Sequence, residues 1–420
     1  MHRNELVERF FRYASIDSQS DNRSTTLPST RGQLTLARLI AEELRTMGLE
    51  DVVVDDRAIV TAVKKATCFG APTIGFIAHL DTADIGLSAA VCPQVLRYRG
   101  GDVCLNRAKD IWLREVEHPE ISRYTGEEIV FSDGTSVLGA DNKAAIAVIM
   151  TMLGNLGPED VHGDILVAFV PDEEIGLRGA RALDTERFEC DFAYTIDCCE
   201  LGELVLENFN AAAAEIIFKG VSAHPMSAKG VLVNPLLYAI DFVDKFDRWD
   251  TPEHTANKEG FFWFTDLIAN DSEARLTLLI RDFDLAAFDE RKRSVEERIA
   301  AFAHTHAPGS ITYTLADTYH NIARYLEKDT RAEELLLAAF ERCGIPPIRI
   351  AMRGGTDGTV LSQRGVPTPN FFTGAHNFHS PFEFLPLGAF ERSLEVAFAI
   401  CRIGAGNRWL ASEKRDGSES

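Results

Sequence analysis

Residues 166–180, LVAFVPDEEIGLRGA, end an apolar run in three consecutive acids, Asp172, Glu173 and Glu174. Adjacent carboxylates repel, and the repulsion is least screened at the mouth of a buried strand, so the arrangement calls for open solvent or for a cation. A lone acidic triplet is usually a solvated loop. Here, however, other ligand-type side chains recur in similar settings. GFIAHLD closes an apolar run with His79 and Asp81, two apart and therefore on one face of an extended chain. LGADNKAA sets Asp141 just before a helical pattern, YTID ends on Asp197, and HNFHSPFEF offers His376 and His379. Singly, each has a plain explanation: a hydrogen-bonded core histidine, a helix N-cap, a loop acid, a surface histidine. Jointly, two histidines with three or more carboxylates at strand ends and helix starts form the inventory of a divalent-metal site with mixed nitrogen and oxygen donors. Neighbours in an extended segment point opposite ways, so Glu173 and Glu174 divide the work: one binds metal while the other is a proton acceptor for water.

The elements that must position these groups follow from periodicity. Helical patterns run over 4–14 and 32–47, and β-rich runs follow at DVVVD, AIVTAV and TIGFIAHLD (73–81). A polar, glycine-containing passage covers 95–135. A helix over 141–156 and strands over 164–170 and 192–197 come next. Strands alternating with helices predict an α/β domain with a largely parallel sheet, whose carboxyl edge is where such folds build sites. From Phe209 the order becomes β-α-β-β-α-β, the signature of a ferredoxin-like α+β unit. The alternation resumes after Asn321. The expected organisation is therefore a discontinuous α/β domain, 1–208 and 322–420, interrupted by an inserted domain, 209–321. The polar tail SEKRDGSES is expected to be disordered.

Composition narrows the partners. The 420 residues carry a formal net charge of -21 and 45% hydrophobic content. With no basic stripe, nucleic acid and anionic membrane surfaces are excluded as partners. No stretch approaches the roughly 18 apolar residues of a membrane span. The N-terminal MHRNELVERFFRYASID places apolar residues at helical spacing between charges, unlike a signal peptide. The eight cysteines form no regular framework and read as reduced thiols, so a cytoplasmic location is expected.

Ten segments extend the pattern: AHLDT, YRGGD, LGADNKA, VPDEEIG, YTID, GELVLENFNAA, VSAHP, LIRDFD, RGGTDG and FTGAHNFH. In this order, over nearly the whole chain, they resemble the co-catalytic zinc exopeptidases of the peptidase T type. The resemblance implies a mixed sheet flanked by helices, with the inserted domain acting as lid and dimerisation surface. It implies two zinc ions per subunit, replaceable in vitro by cobalt or manganese. Asp141 would bridge them, with His79 and Asp197 completing one site and Glu174 and His379 the other. Asp81 would hold the His79 ring, a role its same-face spacing also suits. Glu173 would be the general base toward a metal-activated water, and the Asp141–Asn142 peptide would be cis. The partner subunit's His224 would help stabilise the oxyanion, and Asn234, Arg281 and Arg353 would contact substrate. The implied activity is removal of the N-terminal residue from short peptides, tripeptides foremost, by a homodimer. Rival readings are a dipeptidase, carboxypeptidase or N-acyl amino acid deacylase of the same superfamily, or a non-catalytic scaffold, for which Glu173 would be superfluous. The chain departs from the family pattern at Cys198–Cys199, where glycines are common and where soft thiolates could enter a zinc site. It departs again at Met226 and in SPFEF after His379.

Overall fold

The computed structural model describes residues 2–306 and 309–406, so the polar tail 412–420 lies outside the described residues. The chain divides into two compact units. The larger comprises the chain up to Leu206, Tyr325–Ile350 and the residues from Thr356 onward; the smaller comprises Glu207–Arg324 with Ala351–Gly355. The short segment Ala351–Gly355, assigned from sequence to the larger unit, thus groups with the smaller.

The larger unit is organised by an eight-stranded sheet. Its spatial order is Glu50–Val54, Val60–Lys64, Ile165–Val170, Ile74–His79, Phe192–Cys198, Asn370–Phe372, Glu203–Asn208, Ile348–Met352. The four strands from Ile165–Val170 to Asn370–Phe372 are mutually parallel, whereas Val60–Lys64 and Glu203–Asn208 flank them antiparallel. The sheet is therefore mixed around a parallel centre. Ile74–His79, Ile165–Val170 and Phe192–Cys198 are buried at every position, the pattern of strands covered on both faces. Gly75 is required there, because a Cβ would stand 2.7–2.8 Å from Phe188, Ala193 and Cys190.

Helix Ala140–Asn155 is apolar on all sides and buried from Ala140 to Leu153. It packs between helices Arg3–Ala14 and Leu387–Gly406 and strands Ile74–His79 and Phe192–Cys198. As the element leading into a parallel strand, it presents its N-terminus at the carboxyl edge of the sheet. The passage 95–135, read from sequence only as polar, contains short strands. Gln94–Arg97 and Phe384–Pro386 pair on either side of Glu128–Phe131, and Val103–Asn106 pairs with Ile111–Leu113.

In the smaller unit four antiparallel strands lie in the order Phe261–Ala269, Glu273–Asp282, Asn210–Lys219, Ile311–Tyr319. Helices Pro235–Val243 and Leu285–Thr305 close the β-α-β-β-α-β order. Their apolar faces meet the sheet through Phe218, Phe242, Phe288 and Phe302. This is the ferredoxin-like arrangement read from the sequence.

Candidate metal centre

Each sequence-predicted ligand sits at the carboxyl edge of the parallel centre. His79 ends its strand, Glu173 and Glu174 follow Ile165–Val170, Asp197 is the last residue but one of Phe192–Cys198, and His379 follows Asn370–Phe372. Asp141 opens the buried helix with non-helical dihedrals, φ -79° and ψ 100°, across a cis bond to Asn142. The true helix begins beyond it, so the Asp141 side chain is a projecting group and not a cap.

The Asp141 carboxylate is the centre of the cluster. Its Oδ1 lies 2.9 Å from His79 Nε2 and its Oδ2 3.0 Å from His379 Nε2. Three sets of donor atoms fall within 4.8 Å of one another: His79–Asp141–Asp197, Asp141–Glu174–His379 and His79–Glu173–Glu174. The first two match the two positions implied from the sequence; the third shows that Glu173 also borders the cluster. Asn142 donates through Nδ2 to Asp197 Oδ1 at 2.8 Å and to Ile196 O at 2.9 Å, while Asn370 Oδ1 accepts from Asp197 N at 2.7 Å.

Asp81 does more than hold His79. Its backbone carbonyl is 3.0 Å from His79 Nδ1, and Oδ1 is 3.4 Å from the same nitrogen. Its carboxylate also accepts the amides of Glu173 at 3.0 Å and Glu174 at 3.2 Å. One buried side chain thereby orients a histidine and both neighbouring glutamates. The third acid of the triplet has a different task. Asp172 is fully buried with φ 57°, and its carboxylate accepts from Ser29 N, Ser29 Oγ and Gln33 Nε2 at 2.5–2.8 Å. It ties the triplet to the start of helix Arg31–Thr46.

The electrostatics are those of excess buried negative charge. Burial, reinforced by nearby carboxylates, pushes Glu173 and Asp197 well above the carboxylate range. Asp141 is moved the other way: burial opposes its ionisation, but hydrogen bonds from His379 and His79 hold it charged. His379 is raised to about 11 by its hydrogen bond to Asp141 and by the adjoining Glu174 carboxylate. Lys143 is fully buried and lowered to about 8 by desolvation; its Nζ donates to Ile16 O at 2.9 Å. Its charge offsets Asp81 and Glu383 only in part.

The donor set fits divalent cations. Glu174 Oε1 is 2.9 Å from His379 Nε2 yet receives no aligned hydrogen bond, and the buried Asp357 Oδ1 has no donor either. Asp357, which opens helix Asp357–Gln363, was visible in sequence only as part of the RGGTDG loop. It is raised to about 7, by burial first, and its charge is felt by His79, Asp81 and Glu174. In the sequence Asn142 stands out only for its bond to Asp141 and Glu383 only within SPFEF, while Lys143 carries no signal.

The remaining expected residues belong to the smaller unit. His224 is exposed, its Nδ1 accepting from Met226 N at 3.2 Å. Asn234 caps helix Pro235–Val243, accepting from Leu236 N at 3.0 Å. Arg281 donates to Ala212 O and Ile280 O and lies over the Tyr319 ring. Arg353 donates to Asn257 O, Glu259 O and Thr255 Oγ1, beside the rings of Phe209 and Phe261. All four therefore lie outside the larger unit, which carries the ligand groups. Among the described residues Cys198 and Cys199 enter no ligand group, and burial first, then Glu203, pushes both thiols up.

The family model of peptidase family M20/M25/M40 matches residues 139–402. A peptidase T-like protein of Rhizobium meliloti (strain 1021) is 62% identical over 403 residues, spanning 96% of this chain and 99% of its own. Peptidase T of Caldanaerobacter subterraneus subsp. tengcongensis is 42% identical over 403 residues, spanning 95% and 98%. The crystal structure of aminopeptidase PepT from Bacillus cereus ATCC 10987 shares the fold, with TM-score 0.73 at 21% identity over 96% of this chain and 99% of that one.

Proposed function

This chain belongs to peptidase family M20/M25/M40, and we propose that it is a metal-dependent aminopeptidase removing the N-terminal residue from short peptides, tripeptides foremost. The observation that carries this reading is the Asp141 carboxylate, whose two oxygens face two different histidines. A carboxylate so placed is suited to bridge two cations. His79 and Asp197 would hold one, and Glu174 and His379 the other. The pair, proposed to be zinc and replaceable by cobalt or manganese, would polarise the scissile carbonyl and acidify water.

Glu173 takes the proton of the attacking water and returns it to the leaving amine. Asp81 fixes its backbone, so the carboxyl stays aimed while its protonation changes. The smaller unit would act as lid and as the contact of a homodimer, with the partner subunit's His224 stabilising the oxyanion. Asn234, Arg281 and Arg353 would contact the peptide, the arginines exchanging backbone carbonyls for a substrate carboxylate. All eight cysteines are free thiols, which suits a cytoplasmic enzyme.

The test is a mixed pool of di-, tri- and tetrapeptides, with free and N-acetylated termini, read by mass spectrometry alongside metal analysis. Loss of one N-terminal residue from free tripeptides, with acetylated ones untouched, is the expected result. Cleavage of the acetylated set instead would make the protein a deacylase.

A further inference from the structure

Glu383 is a buried carboxylate with no ion pair among the described residues, held instead by main-chain donors. Its Oε2 accepts from Leu138 N at 2.7 Å and Gly139 N at 2.8 Å, and its Oε1 from Asp141 N at 3.2 Å. The donors form a concave nest: Gly139 has φ 74°, which turns successive amides toward one point. Such nests usually bind a free anion; here the chain supplies one from 242–245 residues away.

Glu383 is itself carried by the segment that bears His379. Its amide donates to Ser380 O, and the next residue, Phe384, exchanges hydrogen bonds with His376 and pairs with Phe131. One side chain therefore fastens the backbone at Asp141 to the segment 376–384 that carries His379. The opposite relation, of Asp141 to Asp197, has its own fastening in the bonds from Asn142 to Asp197 and Ile196. Removing Glu383 would leave that second fastening in place.

We propose that Glu383 is a positioning residue that sets the distance between Asp141 and His379 and so controls occupancy of the metal position built by Asp141, Glu174 and His379. This rests on the two-metal reading above. Bonds from nitrogen and oxygen donors to zinc are about 2.0–2.2 Å long, so a few tenths of an ångström of drift between two ligands is felt directly. Partners that orient ligands typically matter on the order of ten- to a hundredfold in metal affinity.

The experiment is calorimetric titration of the metal-free full-length protein with zinc, repeated with cobalt and followed by visible absorption. Wild type is expected to take up two equivalents. Glu383→Gln keeps one acceptor oxygen but turns an amide NH2 toward Asp141 N–H. It should bind the first equivalent normally and the second on the order of ten- to a hundredfold more weakly. The same equivalent should be the one lost in His379→Ala. Glu383→Asp, which keeps the charge but draws it back by one methylene, should fall between, and it carries the test if the glutamine variant does not fold. Tyr124→Phe removes the 2.7 Å bond to His376 Nε2 on the same segment without touching residue 141, and should leave both equivalents in place. Two normal equivalents in the folded Glu383 variants, equal weakening of both, or the same loss in Tyr124→Phe would overturn the proposal. A wild type that binds no metal would instead bring down the two-metal reading on which it stands.

Discussion

The two halves of the ligand cluster share Asp141 but are built differently. His79 and Asp197 lie on adjacent parallel strands of the sheet centre, and the His79 side chain is 2% exposed. His379 sits on a loop with φ 56°, and its side chain is 47% exposed. The first half is held by a rigid, twice-covered sheet; the second depends on a few bonds that bring distant segments together. A left-handed backbone is tolerated by histidine better than by most residues, yet it is held only by its surroundings. The contrast teaches that a metal pair on one carboxylate need not be a symmetric device. One position is a product of the fold, and the other is assembled on top of it.

The strongest way to break the comparison is to remove what the halves share. Asp141→Ala should abolish uptake of both metals and all turnover, with the helix still formed, as checked by metal analysis and circular dichroism. Next in size, Glu173→Gln should retain both metals while turnover falls by about 10²–10⁴. If metal is lost along with turnover, the grouping of Glu173 with His79 and Glu174 marks a ligand and the base lies elsewhere.

The halves then separate. His379→Ala should lose one equivalent that excess metal restores, whereas His79→Ala should lose its equivalent and stability together, because it empties a buried strand end. Melting curves with and without zinc read both effects.

A subtler test uses pH. In the metal-free protein, burial and the Asp141 charge raise Glu383 to about 7, and burial raises Asp357 to about 7, against unfolded values near 4. Their contribution to stability is complete below about pH 4 and is lost as pH climbs through 7. His379, raised to about 11, loses its contribution from about pH 6.5 upward. All three act in one direction; metal must displace the His379 proton, and its charge disfavours the protons on Glu383 and Asp357. The rise in melting temperature on adding zinc should therefore be larger at about pH 8 than at about pH 5.5. A smaller rise at the higher pH contradicts this account. The smallest effect is expected at the cysteines: Cys199→Ser should leave metal stoichiometry unchanged, since the neutral thiol stands outside the cluster.

What could be read in the sequence follows the same division. His79, Asp81 and Asp197 close apolar runs of recognisable period, so their common edge was legible from local pattern alone. Resemblance supplied the pairing of Asp141 with His379, which no spacing reveals. Glu383 and Asp172 stayed hidden because their bonds run to backbone groups more than a hundred residues away. Nothing in the sequence marks Lys143; its burial and bond to Ile16 O emerge only in the fold. The strands Gln94–Arg97, Ile111–Leu113 and Phe384–Pro386 are too short to carry a period, yet the last of them anchors the His379 segment. The resemblance implies a substrate contact for Arg353; its bonds to three neighbouring groups depend on a turn that the sequence does not show.

The all-round burial of helix Ala140–Asn155 sets a clock on the molecule. Amides inside a helix with no solvent face exchange hydrogen only when the whole domain opens, whereas those of an exposed loop exchange through local fluctuations. The shared aspartate stands at the buried head of that helix, and the half-exposed His379 stands on a loop. Ions should accordingly enter and leave on the timescale of residues 377–380, while the aspartate waits in place for the lifetime of the fold.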